Sequence, residues 1–282
     1  MEPAVLILVL GSAVLHASWN ALVKSGGQPF LRLGAIMGTS GLIGWLFTPF
    51  VPFPAPEVWP FLITAALVQQ VYFVAICLGY RFGDLSHVYP VQRGMAPFLV
   101  AIGAWWFAGE TVGAVGLTGV LLIGVAVLSL ALTTTRWPDD AKALSFAVVA
   151  GLALAGYSVV NGMGARTAAT AGTYIVWLLA IGDTPFRIVT VALNIRRSTG
   201  DIRRHLVLGA ACGVLTAGAY AIVVWAMTVA PITYVTAVRE TSVIIAAWIG
   251  SRLLGEPFGA KRIAAAALVV IGVMLLQAGG AG

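Results

Sequence analysis

Residues 111–132 read TVGAVGLTGVLLIGVAVLSLAL and carry no charged side chain. A helix needs about 20 mostly apolar residues to cross the hydrocarbon core of a bilayer, so this stretch is long enough to span one. Its apolar residues are continuous rather than alternating, which excludes a strand of a membrane β-barrel. Nine similar runs lie at 3–23, 29–50, 58–80, 86–108, 143–165, 172–195, 205–228, 231–254 and 258–278. The sequence therefore predicts an all-α membrane protein with ten transmembrane helices.

The composition of the 282 residues points to the same class. Hydrophobic residues make up 60% of the chain and charged residues 9%, whereas a soluble domain carries about 25% charged residues. With a mean hydropathy of +0.98, the apolar surface cannot all be hidden in one globule, so lipid must cover most of it. The net charge of +6 comes from basic residues scattered between the apolar runs, which is typical of membrane topology and predicts no nucleic-acid partner.

Motifs of enzymes and pumps are absent from the sequence. It contains no H-E-x-x-H, no G-x-x-x-x-G-K-[ST] and no G-x-S-x-G, so we expect neither an enzyme nor an ATP-driven pump. The two cysteines, Cys77 and Cys212, lie within apolar runs and are expected to pack there. We therefore expect no cofactor and no metal. The N-terminus lacks a basic region and a cleavage site, so the first helix is expected to be retained.

The two halves of the chain resemble each other. The spacing from Arg93 to Gly109-Glu110 is repeated from Arg239 to Gly255-Glu256. We infer a duplicated five-helix unit, with residues 1–137 as the first copy and 138–282 as the second. Because five is odd, the second copy enters the bilayer from the opposite side, which gives the inverted repeats typical of alternating-access transporters.

The distribution of basic residues predicts the orientation. Arg166 is the one basic residue in a connection that follows an even-numbered helix. The connections after odd-numbered helices hold Lys24, Arg32, Arg81, Arg136, Lys142, Arg196, Arg197, Arg203, Arg204, Arg252, Lys261 and Arg262. Since basic residues stay in the cytoplasm, both termini are predicted outside it. Compact connections and 13 Arg against 3 Lys favour a bacterial inner membrane.

Three features resemble a known family. They are the Gly109-Glu110 and Gly255-Glu256 junctions, the segment PVQRGMAP at 90–97, and Trp19-Asn20 late in the first helix. Together with the five-helix halves, they resemble the EamA-like permeases of the drug/metabolite transporter superfamily, over essentially the whole chain. The resemblance implies a basket of ten helices, a central cavity lined by the first four helices of each half, and transport of small metabolites. The second half departs from the pattern in placing Thr236 where Pro90 falls in the first half.

Five ionisable residues fall inside the apolar runs: Arg93, Asp183, Arg187, Arg239 and Glu240. Such residues in a membrane face a cavity or a partner. One or both of Arg93 and Arg239 are expected to bind an anionic group of the substrate, and Asp183 and Glu240 are candidates for proton coupling. Two structural alternatives stay open: Arg239 could pair with Glu240 or Asp183, and Asp183 could pair with Arg187 one helical turn away.

Polar and aromatic residues near the middle of the helices are expected to complete the site. They are His16, Trp19, Asn20, Tyr72, Tyr89, Gln92, Trp177 and Tyr220. The alternative for His16, Asn20 and Asn161 is that another helix satisfies them in the core. We expect Glu110 and Glu256 to play a structural part, each favouring the start of the helix that follows it.

The sequence thus predicts a secondary transporter for a small polar metabolite, amino-acid-like or otherwise anionic, with proton coupling as a hypothesis. Its partners are a small-molecule substrate and membrane lipid, and the choice between monomer and homodimer stays open. One alternative is a multidrug exporter for lipophilic cations, which needs an aromatic lining and a membrane acid. Another, from a different class, is an intramembrane enzyme or lipid-handling protein.

Overall fold

The computed structural model describes residues 1–24, 29–82, 85–131, 141–194, 202–245, 248 and 260–279. Ten α-helices lie in this part of the chain, and it contains no strand. They are α1 (Pro3–Lys24), α2 (Pro29–Phe47), α3 (Trp59–Phe82), α4 (Leu85–Ala108), α5 (Ala114–Ala131), α6 (Ala141–Thr167), α7 (Ala171–Asn194), α8 (Ile202–Val229), α9 (Ile232–Arg239) and α10 (Ala260–Gly279). The predicted all-α class is confirmed.

Four helical segments are long and apolar enough to cross a membrane: Leu33–Phe50, Pro56–Phe82, Ala141–Thr167 and Val207–Val229. The outer surface of the bundle is also apolar. Leu46, Trp106 and Met274 expose between 66% and 71% of their surface. Large apolar side chains that face outward in this number are stable in contact with lipid tails, so the fold is compatible with insertion into a membrane.

The helices pack across the two halves of the chain. Helix α1 packs against α8 and α9, and α6 packs against α3 and α4. Helix α2 contacts α7 and α8, while α7 contacts α3; the pairs α4–α9 and α5–α10 also touch. Helices α5 and α10 come very close, because a Cβ added at Gly119 would lie 2.6 Å from the carbonyl oxygen of Gly272. Glycine at these positions lets the two backbones meet.

Helix α4 ends in a left-handed glycine. Gly109 has a φ of +64°, and the N–H of Glu110 donates to the carbonyl of Ala104 at 3.0 Å. This hydrogen bond reaches back six residues and closes the end of the helix, with the residue at positive φ reversing the chain direction. Since a side chain is strained in that conformation, glycine is the favoured residue there. The motif places Glu110 immediately beyond the helix end.

Helix α9 is shorter than the predicted run at 231–254. It ends at Arg239, and a turn follows at Glu240. The N–H of Glu240 donates to the carbonyls of Thr236 and Ala237 at 3.3 and 3.1 Å. Residues 241–245 are helical again. The expectation of one continuous helix is therefore wrong at Glu240. The second Gly-Glu pair, Gly255-Glu256, lies outside the described residues.

Candidate functional site

A cavity with a volume of about 70 Å³ lies inside the bundle. Its lining comes from eight of the ten helices, and α5 and α10 contribute nothing to it. The polar and aromatic lining residues are His16 on α1, Ser40 on α2, Gln69, Tyr72 and Phe73 on α3, Tyr89 and Arg93 on α4, Tyr157 on α6, Asp183 on α7, Thr216 and Tyr220 on α8, and Arg239 on α9. This cavity is the candidate site.

One end of the bundle is closed by apolar packing. Along α4 the lining stops at Arg93, and the helix continues to Ala108, a distance of about 20 Å. Val9, Val100 and Ala104 form a buried cluster on this side, with side chains of α8 and α9. We call this the Glu110 end, since Glu110 lies there with the α8–α9 turn. The cavity lies nearer the opposite end, where α4 begins.

Arg93 is held on three sides. Its Nη1 donates to Oε1 of Glu240 at 3.2 Å, its Nη2 donates to Nε2 of His16 at 2.5 Å, and its guanidinium carbon lies 5.4 Å from the ring centre of Tyr89. A guanidinium has no acceptor atom, so Nε2 of His16 must accept. That nitrogen therefore carries no proton, and His16 is the neutral imidazole with its hydrogen on Nδ1.

Arg239 has no such counter-ion. It is 7% exposed and lies over the ring of Tyr220, 5.7 Å from its centre, and it also interacts with the hydroxyl of Tyr157. Among the described residues it forms no ion pair, so it pairs with neither Glu240 nor Asp183. Arg93 is thus neutralised and Arg239 is not, although both occupy equivalent places in the two halves of the sequence.

Asp183 meets an amide rather than an arginine. Nε2 of Gln69 donates to Oδ1 of Asp183 at 2.7 Å, and Asp183 is 3% exposed. The ion pairs within the described part of the chain are Arg93–Glu240 and Arg166–Glu110, so Asp183 and Arg187 do not form one. Arg187 packs against α2 instead, where a Cβ at Gly38 would lie 2.7 Å from its Cδ.

Three tyrosines form one wall of the cavity. The rings of Tyr72 and Tyr157 meet edge to face with centres 5.5 Å apart, and those of Tyr157 and Tyr220 at 6.5 Å. Nδ2 of Asn161 donates to the hydroxyl of Tyr220 at 2.5 Å, and its Oδ1 accepts from Tyr174 at 2.9 Å. Asn161 therefore holds Tyr220 in place from outside the cavity lining. This fits the alternative that neighbouring helices satisfy Asn161 in the core.

Several residues proposed from the sequence lie elsewhere. Gln92 is fully buried and does not line the cavity, and Glu240 lies behind Arg93. Trp177 belongs to an aromatic cluster with Trp45, Phe53 and Trp59. The side chains of Trp19 and Asn20 lie outside the described residues. By contrast His16, Tyr72, Tyr89, Arg93, Asp183, Tyr220 and Arg239 all line the cavity.

The cavity also contains residues that sequence reasoning did not select. Ser40, Gln69, Tyr157 and Thr216 line it. The sequence holds a short signal for Tyr157, because Tyr157 opens the segment 157–161 as His16 opens 16–20, and the two segments share their final Asn. The sequence holds no comparable signal for Ser40 and Thr216, since serine and threonine are frequent in membrane helices that pack together.

Glu110 connects three chain segments at the closed end. Its Oε1 accepts from Nη2 of Arg166 at 2.7 Å and from the N–H of Ile232 at 2.8 Å. Its Oε2 accepts from the N–H and the hydroxyl of Thr233, both at 3.2 Å. Glu110 therefore satisfies the start of α9, in the other half of the chain. The expectation that it serves the next helix, α5, is wrong, because the turn at Gly109 directs it across the bundle.

Arg166 completes the same arrangement. Its Nε donates to the carbonyl of Met227 at 2.8 Å, and its Nη2 to that of Ala230 at 2.9 Å. A cation is favourable at the carbonyl end of a helix and an anion at the amide end. The pair of Arg166 and Glu110 therefore satisfies the end of α8 and the start of α9 together.

Comparison with known proteins places the fold and nothing beyond it. No family model and no curated protein matches the chain. A crystal structure of another protein has a TM-score of 0.76 to this chain, with 15% sequence identity, over 98% of this chain and 99% of the other. The two chains share one fold. At this identity the similarity carries no information about the substrate.

Proposed function

We propose that this protein is a secondary transporter, which moves a small polar metabolite, amino-acid-like or anionic, by alternating access. The observation that carries the proposal is Arg239. It is a buried guanidinium that faces a central cavity without an acidic partner among the described residues. A buried cation without a counter-ion is unfavourable unless something neutralises it. The carboxylate of a bound substrate would do so, through two parallel hydrogen bonds.

The packing of the helices supports an inverted repeat. In an inverted repeat, α1–α5 of residues 1–137 correspond to α6–α10 of residues 138–282. The α1–α8 contact then corresponds to the α6–α3 contact, and the α1–α9 contact to the α6–α4 contact. All four contacts are present. Corresponding helices of the two halves also contact each other in the pairs α2–α7, α4–α9 and α5–α10. Two such halves around a central site are the architecture in which one half can rock against the other.

The same architecture supports ten spans and membership of the EamA-like permeases. In the topology predicted from basic residues, the Glu110 end faces away from the cytoplasm and both termini lie outside, in a bacterial inner membrane. The cavity then lies nearer the cytoplasmic side. The lining by α1–α4 and α6–α9, with α5 and α10 outside it, is the arrangement that the resemblance implies.

The charges of the cavity favour a substrate with a carboxylate and an ammonium group. Arg239 suits the carboxylate, and Asp183 together with the tyrosine wall suits the ammonium group. A lipophilic cation is the second candidate, because Asp183, Tyr72 and Tyr157 alone would suffice for it. Binding of the zwitterionic substrate requires Arg239, whereas binding of the lipophilic cation does not.

The test is ligand-induced thermal stabilisation of the purified protein in lipid nanodiscs. The panel contains amino acids, organic anions, phosphonates and lipophilic cations, and the variants are Arg239→Gln and, as a matched control, Arg81→Gln on the exposed surface of α3. A ligand that binds the folded state raises its stability. We expect stabilisation by zwitterions or anions that is lost in Arg239→Gln and kept in Arg81→Gln.

Two results would contradict this assignment. Stabilisation by lipophilic cations alone, unchanged in Arg239→Gln, would replace the metabolite transporter with the multidrug exporter. Absence of stabilisation by every compound, together with absence of counterflow in proteoliposomes, would overturn the transport function itself.

A further inference from the structure

The carboxylate of Glu240 is poorly satisfied for a buried charge. Its Oε1 has one hydrogen bond, from Arg93 at 3.2 Å, and its Oε2 is buried without a partner. Glu110 provides the comparison, because its two oxygens accept four hydrogen bonds. A buried carboxylate keeps its charge through such hydrogen bonds. The carboxylate of Glu240 thus has one hydrogen-bond donor, Arg93, although the charge of Arg239 also acts on it.

Glu240 also lies where the backbone can move. Helix α9 ends at Arg239, and the helical residues 241–245 follow the turn at Glu240. Changes of conformation are absorbed at the ends of elements such as this one. The side chain can therefore change its distance from Arg93 without unwinding a continuous helix.

Arg93 keeps its place without Glu240. His16 accepts a hydrogen bond from it and the ring of Tyr89 lies beneath it. Arg93, His16 and Tyr89 line the cavity, whereas Glu240 does not. Loss of the charge on Glu240 would therefore leave a fixed cation that faces the cavity and has no counter-ion.

We propose that protonation of Glu240 releases Arg93 to bind an anionic group, so that one proton and one anion bind to the cavity together. The proton comes from water and forms an O–H bond on the carboxylate, and no group is oxidised or reduced. The N–H of Arg93 that pointed at Oε1 turns to the bound anion. In both states one negative charge balances Arg93: first that of ionised Glu240, and then that of the bound anion. No unpaired charge is therefore buried. The inference rests on the proposed transport function and adds the coupling ion to it.

The titratable groups around Glu240 determine which carboxylate can take up the proton. Helix α9, which ends one residue before Glu240, packs against α1, α4, α5, α6 and α8, and α5 has no titratable side chain. The titratable and charged groups near it are His16, Tyr89, Arg93, Tyr157, Tyr220 and Arg239. No second carboxylate is among them in the described part of the chain. Asp183 lines the cavity from α7, away from this pair.

The experiment uses benzenesulfonate, which stays anionic at all working pH values, so that any dependence on pH belongs to the protein. Binding to the full chain in nanodiscs is measured by calorimetry in two buffers that differ in their heat of ionisation, which counts the protons taken up. In wild type we expect uptake of about one proton, with affinity rising about tenfold for each unit of decreasing pH. An infrared difference spectrum should show the C=O band of a protonated carboxyl group on binding.

The variants test whether Glu240 is the group that takes up the proton. In Glu240→Gln we expect binding that no longer changes with pH, no proton uptake and no carboxyl band, because the amide cannot titrate. Glu57→Gln, at an exposed position outside the cavity, should keep the proton uptake. If Glu240→Gln does not fold, the infrared band in wild type and its loss in Arg93→Gln provide the same test.

The outcomes separate this inference from the function. Binding without proton uptake in wild type, or uptake that persists in Glu240→Gln, would overturn the inference and leave the transporter in place. The same holds if zwitterions stabilise the protein but benzenesulfonate does not bind at any pH. If neither kind of ligand binds, the proposed function fails, and the inference fails with it.

Discussion

Arg93 and Arg239 show how two equivalent residues acquire different chemistry. Each lies the same number of residues before a Gly-Glu pair, and each contacts a tyrosine ring. The difference is the glutamate that follows Arg239 and reaches across to Arg93. Glu240, the turn residue just beyond α9, thus neutralises the arginine of α4, whereas its sequence neighbour Arg239 forms no ion pair among the described residues.

The geometry of Arg239 predicts the effect of Arg239→Lys. Lysine keeps the charge but cannot donate two parallel hydrogen bonds to a carboxylate. Loss of one charge-assisted hydrogen bond costs about 1.5–3 kcal/mol, so the affinity for a carboxylate ligand should fall about tenfold or more. Titration calorimetry in nanodiscs measures it. Equal affinity in Arg239→Lys and wild type would show that charge alone matters here.

Gln69 is predicted to stabilise the fold through Asp183. In Gln69→Leu the buried carboxylate of Asp183 loses its 2.7 Å donor, and loss of a hydrogen bond to a buried polar group costs about 1–3 kcal/mol. The second change, Asp183→Leu, should recover part of this loss, because no carboxylate is then left without a donor. Thermal unfolding of both single variants and the double variant measures the coupling. Additive effects would mean that the two side chains act independently.

At the scale of single elements, the end of α4 depends on one backbone conformation. Gly109→Ala should cost about 1–2 kcal/mol, because an alanine is strained at a φ of +64°. A new Cβ would meet no atom within 4 Å at Gly109 or at Gly113, so Gly113→Ala is a matched control without the strain. Unfolding temperatures compare the two variants. Equal destabilisation would mean that the left-handed conformation is not the cause.

The α8–α9 turn is predicted to depend on Arg166. In Arg166→Gln, Glu110 loses its ion pair and the carbonyls of Met227 and Ala230 lose their donor. We expect the Glu110 end to open more often, since these contacts hold three chain segments together. A cysteine introduced in place of Thr233 should then react faster with a membrane-impermeant thiol reagent. Arg81→Gln serves as the control, and unchanged labelling in Arg166→Gln would contradict the prediction.

At the scale of the whole molecule, the orientation decides to which compartment the cavity is connected. Reporter fusions test it: alkaline phosphatase, which is active only outside the cytoplasm, should be active when fused after Arg166 and inactive when fused after Lys142. The physical reason is the retention of basic connections on the cytoplasmic side. The reverse pattern would place the Glu110 end in the cytoplasm and turn the cavity outward.

Much of the fold could be predicted because lipid imposes a simple rule on sequence. Every backbone polar group in a bilayer must be satisfied within its own segment, so each long apolar run becomes a helix. Of the predicted helices, the run at 231–254 differs most, because α9 ends at Arg239 and the chain turns at Glu240, which pairs with Arg93. Four consecutive polar residues, 239–242, lie at that break, but a pattern of hydrophobicity carries no signal of the contact that Glu240 makes with a distant residue.

The sequence by itself determined the all-helical class and the set of buried ionisable residues, because hydropathy and charge are properties of each segment alone. The tertiary structure decided which charges meet: Glu240 with Arg93, Glu110 with Arg166 and the start of α9, and Gln69 with Asp183. The partners in these contacts are 56–147 residues apart in the chain. An ion pair depends on distances of a few ångströms, and only the packing of α1–α4 against α6–α9 brings such residues that close.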